Sequence, residues 1–402
     1  LPECHNLLIH PTVISLEAAR QSIHSHVGVL EPVETHLSEC VGDVLAEPIL
    51  SDAFYPSGDR STMDGYVIRA DESPGSFQVI GEIPAGHIPE QALEKSQTLR
   101  IFTGALIPKN GGRVIMQEDV RREGDTIHIE TFQENRFIRP QGSEAKPGDT
   151  VLPAGTLLGA AEIAILAQVG AVRPKLVRRP VVRHLATGGE LVAPGQVPHP
   201  GQIRDTNSSL LAALLKAQGI PLTDSTRVAD DPASLTRLAE GHWDLLLVSG
   251  GASVGDYDFG AEALRRLGFT IHFDRVNLRP GKPLTFATRG KQAAFVIPGN
   301  PVSHFVCYHV AIRLAVELMS GLPESWSFLP LEVAGGDALK PDPRDSFHPA
   351  RVVVRNNKLV VTPQRWSTSG DTFSLAGTNA LARVDAASPA DGHVLTLLLN
   401  PI

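Results

Sequence analysis

The chain has 402 residues, 42% of them hydrophobic and 20% charged, with a formal net charge of -8. That length exceeds one comfortable hydrophobic core and implies several domains, while the apolar content excludes a disordered chain. The acidic balance argues against a protein that coats nucleic acid by bulk attraction, and nothing offers the roughly 18 uninterrupted apolar residues of a membrane-spanning helix.

From the amino terminus, LPECHNLLIHPTVISLEAA has no basic region followed by a continuous apolar one, so no secretory leader is expected. Cys4, Cys40 and Cys307 are scattered without a C-x-x-C pair, which predicts free thiols and a cytoplasmic protein. Ile14, Leu16, Ala19 and Ile23 recur at helical spacing around Ser15, a fitting N-cap. From about Asp52 to Gln141 the pattern changes to short strands broken by Gly and Pro, among them SFQVIGEI, LRIFTG, RVIMQE and TIHIETF. Such strands are too short and too evenly punctuated for crossover helices, so this stretch is predicted to be all-β. An amphipathic helix follows from Gly159 to Gln168. If it packs beside the N-terminal helix, the β segment is an insertion into a domain made of two pieces. Between Asn135 and His184 basic residues outnumber acidic ones, so a local positive patch is possible on an acidic protein.

Beyond Pro180, strands such as VVRHLA, DLLLV and AAFVI alternate with helices, one of them opened by Asp231 as N-cap and Pro232 at N1. Apolar strands of this kind are buried on both faces, which requires helices above and below the sheet. After Leu322-Pro323 the pattern returns to strands, FHPARVVVRNNKLVVTPQ and HVLTLLLNPI. The predicted fold class is α/β and multidomain. A discontinuous helical and linker domain (1–50 and 146–170) carries an inserted β domain (51–145), followed by a three-layer α/β domain (171–325) and a C-terminal β domain (326–402).

Ligands of open α/β sheets bind beyond the carboxyl ends of the strands, and three unusual loops follow strands here. The first is Ser249-Gly250-Gly251-Ala252-Ser253-Val254-Gly255-Asp256-Tyr257-Asp258, whose glycines let backbone N–H groups turn toward an anion. The second, Arg279-Pro280-Gly281-Lys282-Pro283, combines two cations with a restricted backbone. The third, Pro298-Gly299-Asn300-Pro301-Val302-Ser303, opens a long helix and reads either as a turn with a Ser303 cap or as an anion-facing helix start. Together they predict a phosphate-containing ligand. Glu190, Asp205, Asp230, Asp231, Asp256 and Asp258 populate the same edge and suit Mg²⁺ beside a phosphate, although Asp231 also reads as a cap and Asp205 as ordering its own turn. In the β segment, Asp59 and Asp64 present oxygens, Gly65 gives close access, Met63 and Tyr66 read as packing residues, and Thr103-Gly104 ends a strand. No Ser-His-Asp or Cys-His arrangement is legible, and the histidines are too dispersed to nominate a base.

These motifs, STMDGY, FTGALIP, VIMQE, TGGEL, GQIRDTN, SGGASVGDYD, RPGKP, PGNPVS and STSGDTFSLAGTNAL, occur in an order that resembles the MoeA and gephyrin E-domain family, the molybdopterin molybdenumtransferases. The resemblance covers nearly the whole chain. It implies a molybdopterin-binding-like α/β domain within an elongated homodimer. It also implies insertion of molybdate into adenylylated molybdopterin (molybdopterin-AMP) with release of AMP, dependence on Mg²⁺, and a possible molybdopterin adenylyltransferase partner. Carried over to this sequence, Ser249, Gly250, Gly251, Ser253, Gly255, Lys282, Arg279, Pro298, Gly299, Asn300 and Ser303 match the nucleotide and pterin-phosphate region. Glu190, Asp205 and Asn207 match its carboxylate-rich rim, Thr103 its Thr-Gly-Ala strand end, and Asp64 with Asp258 the pair expected to organise Mg²⁺. Asp64, Asp258, Lys282 and Glu190 are the expected catalytic residues.

The sequence also departs from the family pattern. Arg60 stands where the family has a neutral amide, Gly112-Arg113 replaces an acidic residue, and Pro140-Gln141 replaces two cationic donors. Two alternatives to active insertion therefore remain: a diverged paralogue that binds molybdopterin or a nucleotide without turnover, and a dimeric scaffold.

Overall fold

The computed structural model describes residues 13–228, 230–251, 259–334, 339–387 and 392–399. They form two compact units, one made of Glu34–Val41 with Leu45–Lys175, the other of residues up to Val33, Gly42–Val44 and residues from Leu176 onward.

The first unit is built on a six-stranded mixed sheet in the spatial order Gly111–Met116, Gly65–Arg69, Gln97–Ile101, Gly75–Ile83, Thr126–Ile129, Arg121–Glu123. Period-two alternation divides its side chains between two cores: Tyr66 and Ile68 pack with Phe77, Ile115 and Ile127, while Val67 joins Leu99, Ile101 and Val114. Between 70 and 130 the helical structure among the described residues is one 3₁₀ turn, Gln117–Asp119, in keeping with the all-β reading. The helix Ala160–Gln168 starts where the glycine punctuation predicted, with the Gly159 N–H donating to Glu162 Oε2 at 2.9 Å. It packs against the 3₁₀ turn Leu37–Glu39 and the strand Thr150–Leu152 of the same unit.

The second unit contains the predicted α/β sheet. Its order is Leu222–Val228, Val182–Thr187, Leu245–Ser249, Gln292–Ile297, Thr285–Arg289, Thr270–Phe273; the first four strands are parallel, and Thr285–Arg289 runs antiparallel to both of its neighbours. Successive residues of one strand feed opposite layers, Leu245 and Leu247 one core, Leu246 and Val248 the other. The first core takes Leu16, Ala19 and Ile23 of the N-terminal helix Leu16–His26, and Leu211 and Leu215 of the helix Asn207–Ala217. Ser15 caps the N-terminal helix as predicted, accepting from Ala18 N at 3.1 Å, and Asp231 caps the helix Pro232–Leu238, accepting from Ser234 N at 2.8 Å.

The long helical run starts at Pro301 with Asn300 as its N-cap, so Ser303 lies inside the first turn and is not the cap. It runs through a π-helical segment, Tyr308–Ile312, into Arg313–Met319. By length and composition Pro301–Ser320 could cross a membrane, but 89% of its apolar window is buried within the chain, which makes it a core helix.

The C-terminal strands Phe328–Val333, Asp345–Arg355, Lys358–Pro363, Ala380–Val384 and His393–Leu398 close into a barrel, because Asp345–Arg355 pairs with both Lys358–Pro363 and Ala380–Val384. This barrel belongs to the same compact unit as the α/β sheet. The short strand Leu278–Arg279 adds in parallel beside Asp345 and Ser346, which anchors the start of the Arg-Pro-Gly-Lys-Pro loop on the barrel.

Four members of the basic run near the unit boundary are paired with carboxylates, while Arg136, Lys146 and Arg173 of the same run are exposed. Arg178 is clamped on Asp244 by two bonds of 2.7 and 2.9 Å, Arg179 on Asp43 at 2.5 Å, Arg183 on Asp224 at 3.0 Å, and Lys175 on Glu47 at 3.2 Å. Part of the charge counted along the sequence is thus neutralised locally in space.

Candidate functional site

The parallel strands of the second unit run in the order second, first, third, fourth, so the chain reverses its direction of winding between Val182–Thr187 and Leu245–Ser249. A crevice opens at the carboxyl ends of such a strand pair because the connecting loops diverge there. A cleft of about 400 Å³ occupies this place, lined by Thr187, Glu190, Asp205, Asn207, Asp230, Ser249, Gly250, Gly251, Gly299 and Asn300 among others.

Sequence and geometry agree on why Gly250 is there. Its φ of +84° is left-handed, and a Cβ would sit 2.5 Å from the Thr187 hydroxyl. Its amide, however, is committed to the Ile297 carbonyl at 3.0 Å, so the expectation that this N–H faces an anion is corrected: it ties two strand ends together. Ser253, Gly255 and Asp258 lie outside the described residues.

The carboxylates on the rim divide into two kinds. Asp205 accepts from Ser208 N at 3.0 Å through one oxygen and from the Ser208 hydroxyl at 2.5 Å through the other, so it orders the start of the helix Asn207–Ala217. Asp230 accepts one long bond from Gly189 N at 3.2 Å, and Glu190 is exposed at the cleft. Asn207 donates to the Gly299 carbonyl at 2.6 Å, while its buried Oδ1 has no donor among the described residues. The anchor therefore holds the Pro-Gly-Asn loop and leaves an acceptor for a ligand.

A second cleft of about 520 Å³ adjoins the first through Gly299 and Asn300. Its walls are Arg279, Lys282, Pro298 and Ser303, joined by Arg344 and Trp366 to Ser369 from the barrel. Asp342 holds two of the cations, Arg279 at 2.5 Å and Arg344 at 3.3 Å. Burial opposes ionisation of Asp342, but the Arg279 guanidinium, the Arg344 backbone N–H and the Arg344 guanidinium together outweigh it and hold the carboxyl below its ordinary range. Lys282 is exposed and has no ion-pair partner among the described residues, so its charge is available to a ligand. The helix start is less available: Val302 N already donates to the Ser369 carbonyl at 3.0 Å. The two neighbouring clefts therefore differ in chemistry, one rimmed by carboxylates and the other by cations and hydroxyls.

The β unit carries a separate set. Asp64 is exposed, and its Oδ1 accepts from Thr103 N at 2.7 Å and from the Thr103 hydroxyl at 2.9 Å. The backbone bond first, then the hydroxyl, hold its pKa below the usual carboxylate value. Gly65 does not provide ligand access as its position suggested, because a Cβ there would lie 1.9 Å from the Ile115 carbonyl oxygen. It is the price of close strand pairing between Gly65–Arg69 and Gly111–Met116. Met63 was expected to pack but is 38% exposed, since the turn it occupies is closed by Ser61 Oγ donating to its carbonyl at 2.6 Å. Arg60 donates to the Gly104 carbonyl at 2.6 Å, and Arg139 pairs with Glu144 at 2.7 Å.

Three family models match in chain order: the MoeA N-terminal region (domain I and II) over 14–170, the probable molybdopterin binding domain over 183–317, and the MoeA C-terminal region (domain IV) over 333–391. A molybdopterin molybdenumtransferase of Nostoc sp. is 37% identical over 361 residues, 85% of this chain and 82% of its own length. The chain belongs to the MoeA family. A molybdopterin molybdenumtransferase of Staphylococcus epidermidis is 30% identical over 91% of this chain and 90% of its own length. A molybdopterin biosynthesis MoeA protein of Pyrococcus horikoshii superposes with a TM-score of 0.82 at 25% identity, covering 97% of this chain and 100% of its own.

Within this MoeA-family chain the structure gathers Glu190, Asp205, Asn207, Ser249, Gly250, Gly251, Gly299 and Asn300 at one cleft, and Arg279, Lys282, Pro298 and Ser303 at its neighbour. Asp64 and Thr103 meet each other in the β unit. Thr187, Arg344 and Trp366 were not singled out in the sequence. The Ser-Thr-Ser-Gly-Asp-Thr run of the tail was a visible signal for the last of these, since it directly follows Trp366.

Proposed function

We propose that this chain is a molybdopterin molybdenumtransferase, which inserts molybdate into adenylylated molybdopterin and releases AMP. The observation that carries the reading is the pair of clefts sharing Gly299 and Asn300. A tetrahedral dianion suits the wall with Lys282, Arg279, Arg344 and the Ser303 and Ser369 hydroxyls, where cationic charge offsets its repulsion from a substrate phosphate. The nucleotide and its pyrophosphate suit the carboxylate-rimmed cleft at the strand ends, provided a divalent cation neutralises them.

The donor set fits Mg²⁺, which is held by one or two carboxylates together with substrate phosphates. Glu190 and Asp230 retain lone pairs toward the cleft and are the carboxylates there that could hold it; Asp64 and Asp258 are proposed on the family resemblance. When bound, the ion would neutralise charge developing on the pyrophosphate as its P–O bond breaks and AMP leaves. The residues of the chain contribute position and electrostatics, consistent with the absence of a catalytic triad from the sequence. We further propose a homodimer, a cytoplasmic location and an adenylyltransferase that supplies the nucleotide-bearing substrate.

A second reading, a binder without turnover, is favoured by the engagement of Arg60 and Arg139 in internal bonds, which leaves fewer donors for the transition state. Loss of two charge-assisted bonds of about 1.5 kcal/mol each would slow the reaction roughly a hundredfold. Molybdate- and Mg²⁺-dependent AMP release by the purified chain tests the two. Turnover that is abolished in Asp64→Ala is the expected result. Binding without turnover at any molybdate concentration favours the second reading.

A further inference from the structure

A line of four hydrogen bonds crosses three neighbouring strands, from Ser225 and His184 in mid-strand to Ser249 at a strand end beneath the first cleft. It joins Ser225, His184, Ser249, His304 and the Pro298 carbonyl, with separations of 3.0, 2.5, 3.3 and 3.2 Å. His184, Ser249 and His304 are all buried, and Ser249 also lines the cleft.

Elementary donor chemistry fixes the direction of every bond. The Pro298 carbonyl can only accept, so His304 carries its proton on Nδ1. Burial holds this ring neutral, its pKa pushed down to about 3, which leaves Nε2 as an acceptor. The Ser249 hydroxyl has one proton and donates it to His304 Nε2. Ser249 Oγ must then accept from His184 Nε2, and His184, pushed down to about 4 by burial, accepts at Nδ1 from the Ser225 hydroxyl. One arrangement of protons satisfies both rings, and reversing it would set an acceptor against the Pro298 carbonyl.

We infer that His184 and His304 are positioning residues that, through Ser249, lock the Ser-Gly-Gly loop to the Pro-Gly-Asn loop at one fixed spacing. The first loop lines the nucleotide cleft and the second is shared with the cationic cleft. The ordered side chains thus hold together two strand ends that face the proposed reaction, where small displacements of bound groups carry large penalties in rate. The inference rests on the proposed function for the identity of the ligand, but not for the mechanical link itself.

The test uses the full chain. Imidazole ¹⁵N resonances at neutral pH are expected to show the Nδ1-protonated tautomer for His304 and the Nε2-protonated tautomer for His184. His304→Phe fills the ring volume and cuts the line, and is expected to speed exchange of the Gly250 amide, which donates to the Ile297 carbonyl, about tenfold or more while Leu246 and Phe295 keep their protection. It is also expected to weaken AMP binding about tenfold or more. His304→Gln, which can still accept from Ser249, should recover part of both effects and serves if the Phe variant does not fold. Identical tautomers on the two rings, or unchanged exchange at Gly250 in both variants, would overturn the positioning role. Absence of AMP binding by the wild-type chain would instead overturn the nucleotide reading, with the tautomers and the exchange rates still deciding the role of the histidines.

Discussion

Lys282 and Arg113 carry the same charge in opposite circumstances. Arg113 donates to the Gln133 and Asn135 carbonyls and lies over the Phe132 ring, so its cation is committed to holding a loop. Lys282 stands exposed on a cleft wall without an ion-pair partner among the described residues. Calorimetry with AMP or adenylylated molybdopterin should therefore show Lys282→Ala weakening binding several-fold, an effect of about 1 kcal/mol or more, with Arg113→Ala near wild type. Equal losses in the two variants would remove the case for Lys282 as a ligand-facing charge. Gly65 supplies a second prediction at this scale. A methyl group 1.9 Å from the Ile115 oxygen forces two paired strands apart, so Gly65→Ala should cost about 1–3 kcal/mol in denaturant unfolding. A neutral result would mean that the pairing relaxes without penalty.

At the scale of elements, buried polar groups decide how strands and helices are joined. Asp244 sits at the start of the Leu245–Ser249 strand and accepts from Val181 N at 2.7 Å as well as from both Arg178 terminal nitrogens. Desolvation opposes its ionisation, yet the Arg178 bonds prevail and hold its pKa below the ordinary 3.8. Its contribution is therefore present above that pH and lost as the pH falls through the lower folded value. Asp244→Asn should destabilise the chain by about 3 kcal/mol at neutral pH, because it leaves a guanidinium without its counter-charge. Histidines act over a different window. His184, His304, His309 and His348 are held neutral by burial, at about 4, 3, 3 and 4, with Asp205 only partly opposing this for His184 and His304. An unfolded chain takes up these protons below its ordinary pKa of about 6.5, whereas the folded chain refuses them until lower pH. Thermal stability should then be flat above about pH 7 and fall progressively from about 6.5 toward 4. A melting temperature independent of pH across that interval would contradict the burial of these rings. The cap residues tell the complementary story: Ser15, Asp231 and Pro232 were legible in sequence because a cap and its amide lie three residues apart.

At the scale of the whole molecule, the proposed homodimer is checked by sedimentation, where a dimer at micromolar concentration is expected and a monomer would remove that part of the proposal. The sequence by itself determined the kinds of element, the α/β and β character of the segments, the family and most of the cleft loops, since periodicity, caps and ordered motifs are local signals. Only the tertiary structure decided what those loops do. It committed the Gly250 amide to a neighbouring strand end, brought the tail around Trp366 to the cationic wall and paired Arg178 and Arg179 of the basic run with Asp244 and Asp43. It also joined His184 to Ser249 and Ser249 to His304 across 65 and 55 residues of chain, so histidines that look dispersed in the sequence share one line of protons. The reason is physical: hydrogen bonds and ion pairs depend on distances of about 3 Å set by sheet order and packing, which no spacing along the chain specifies.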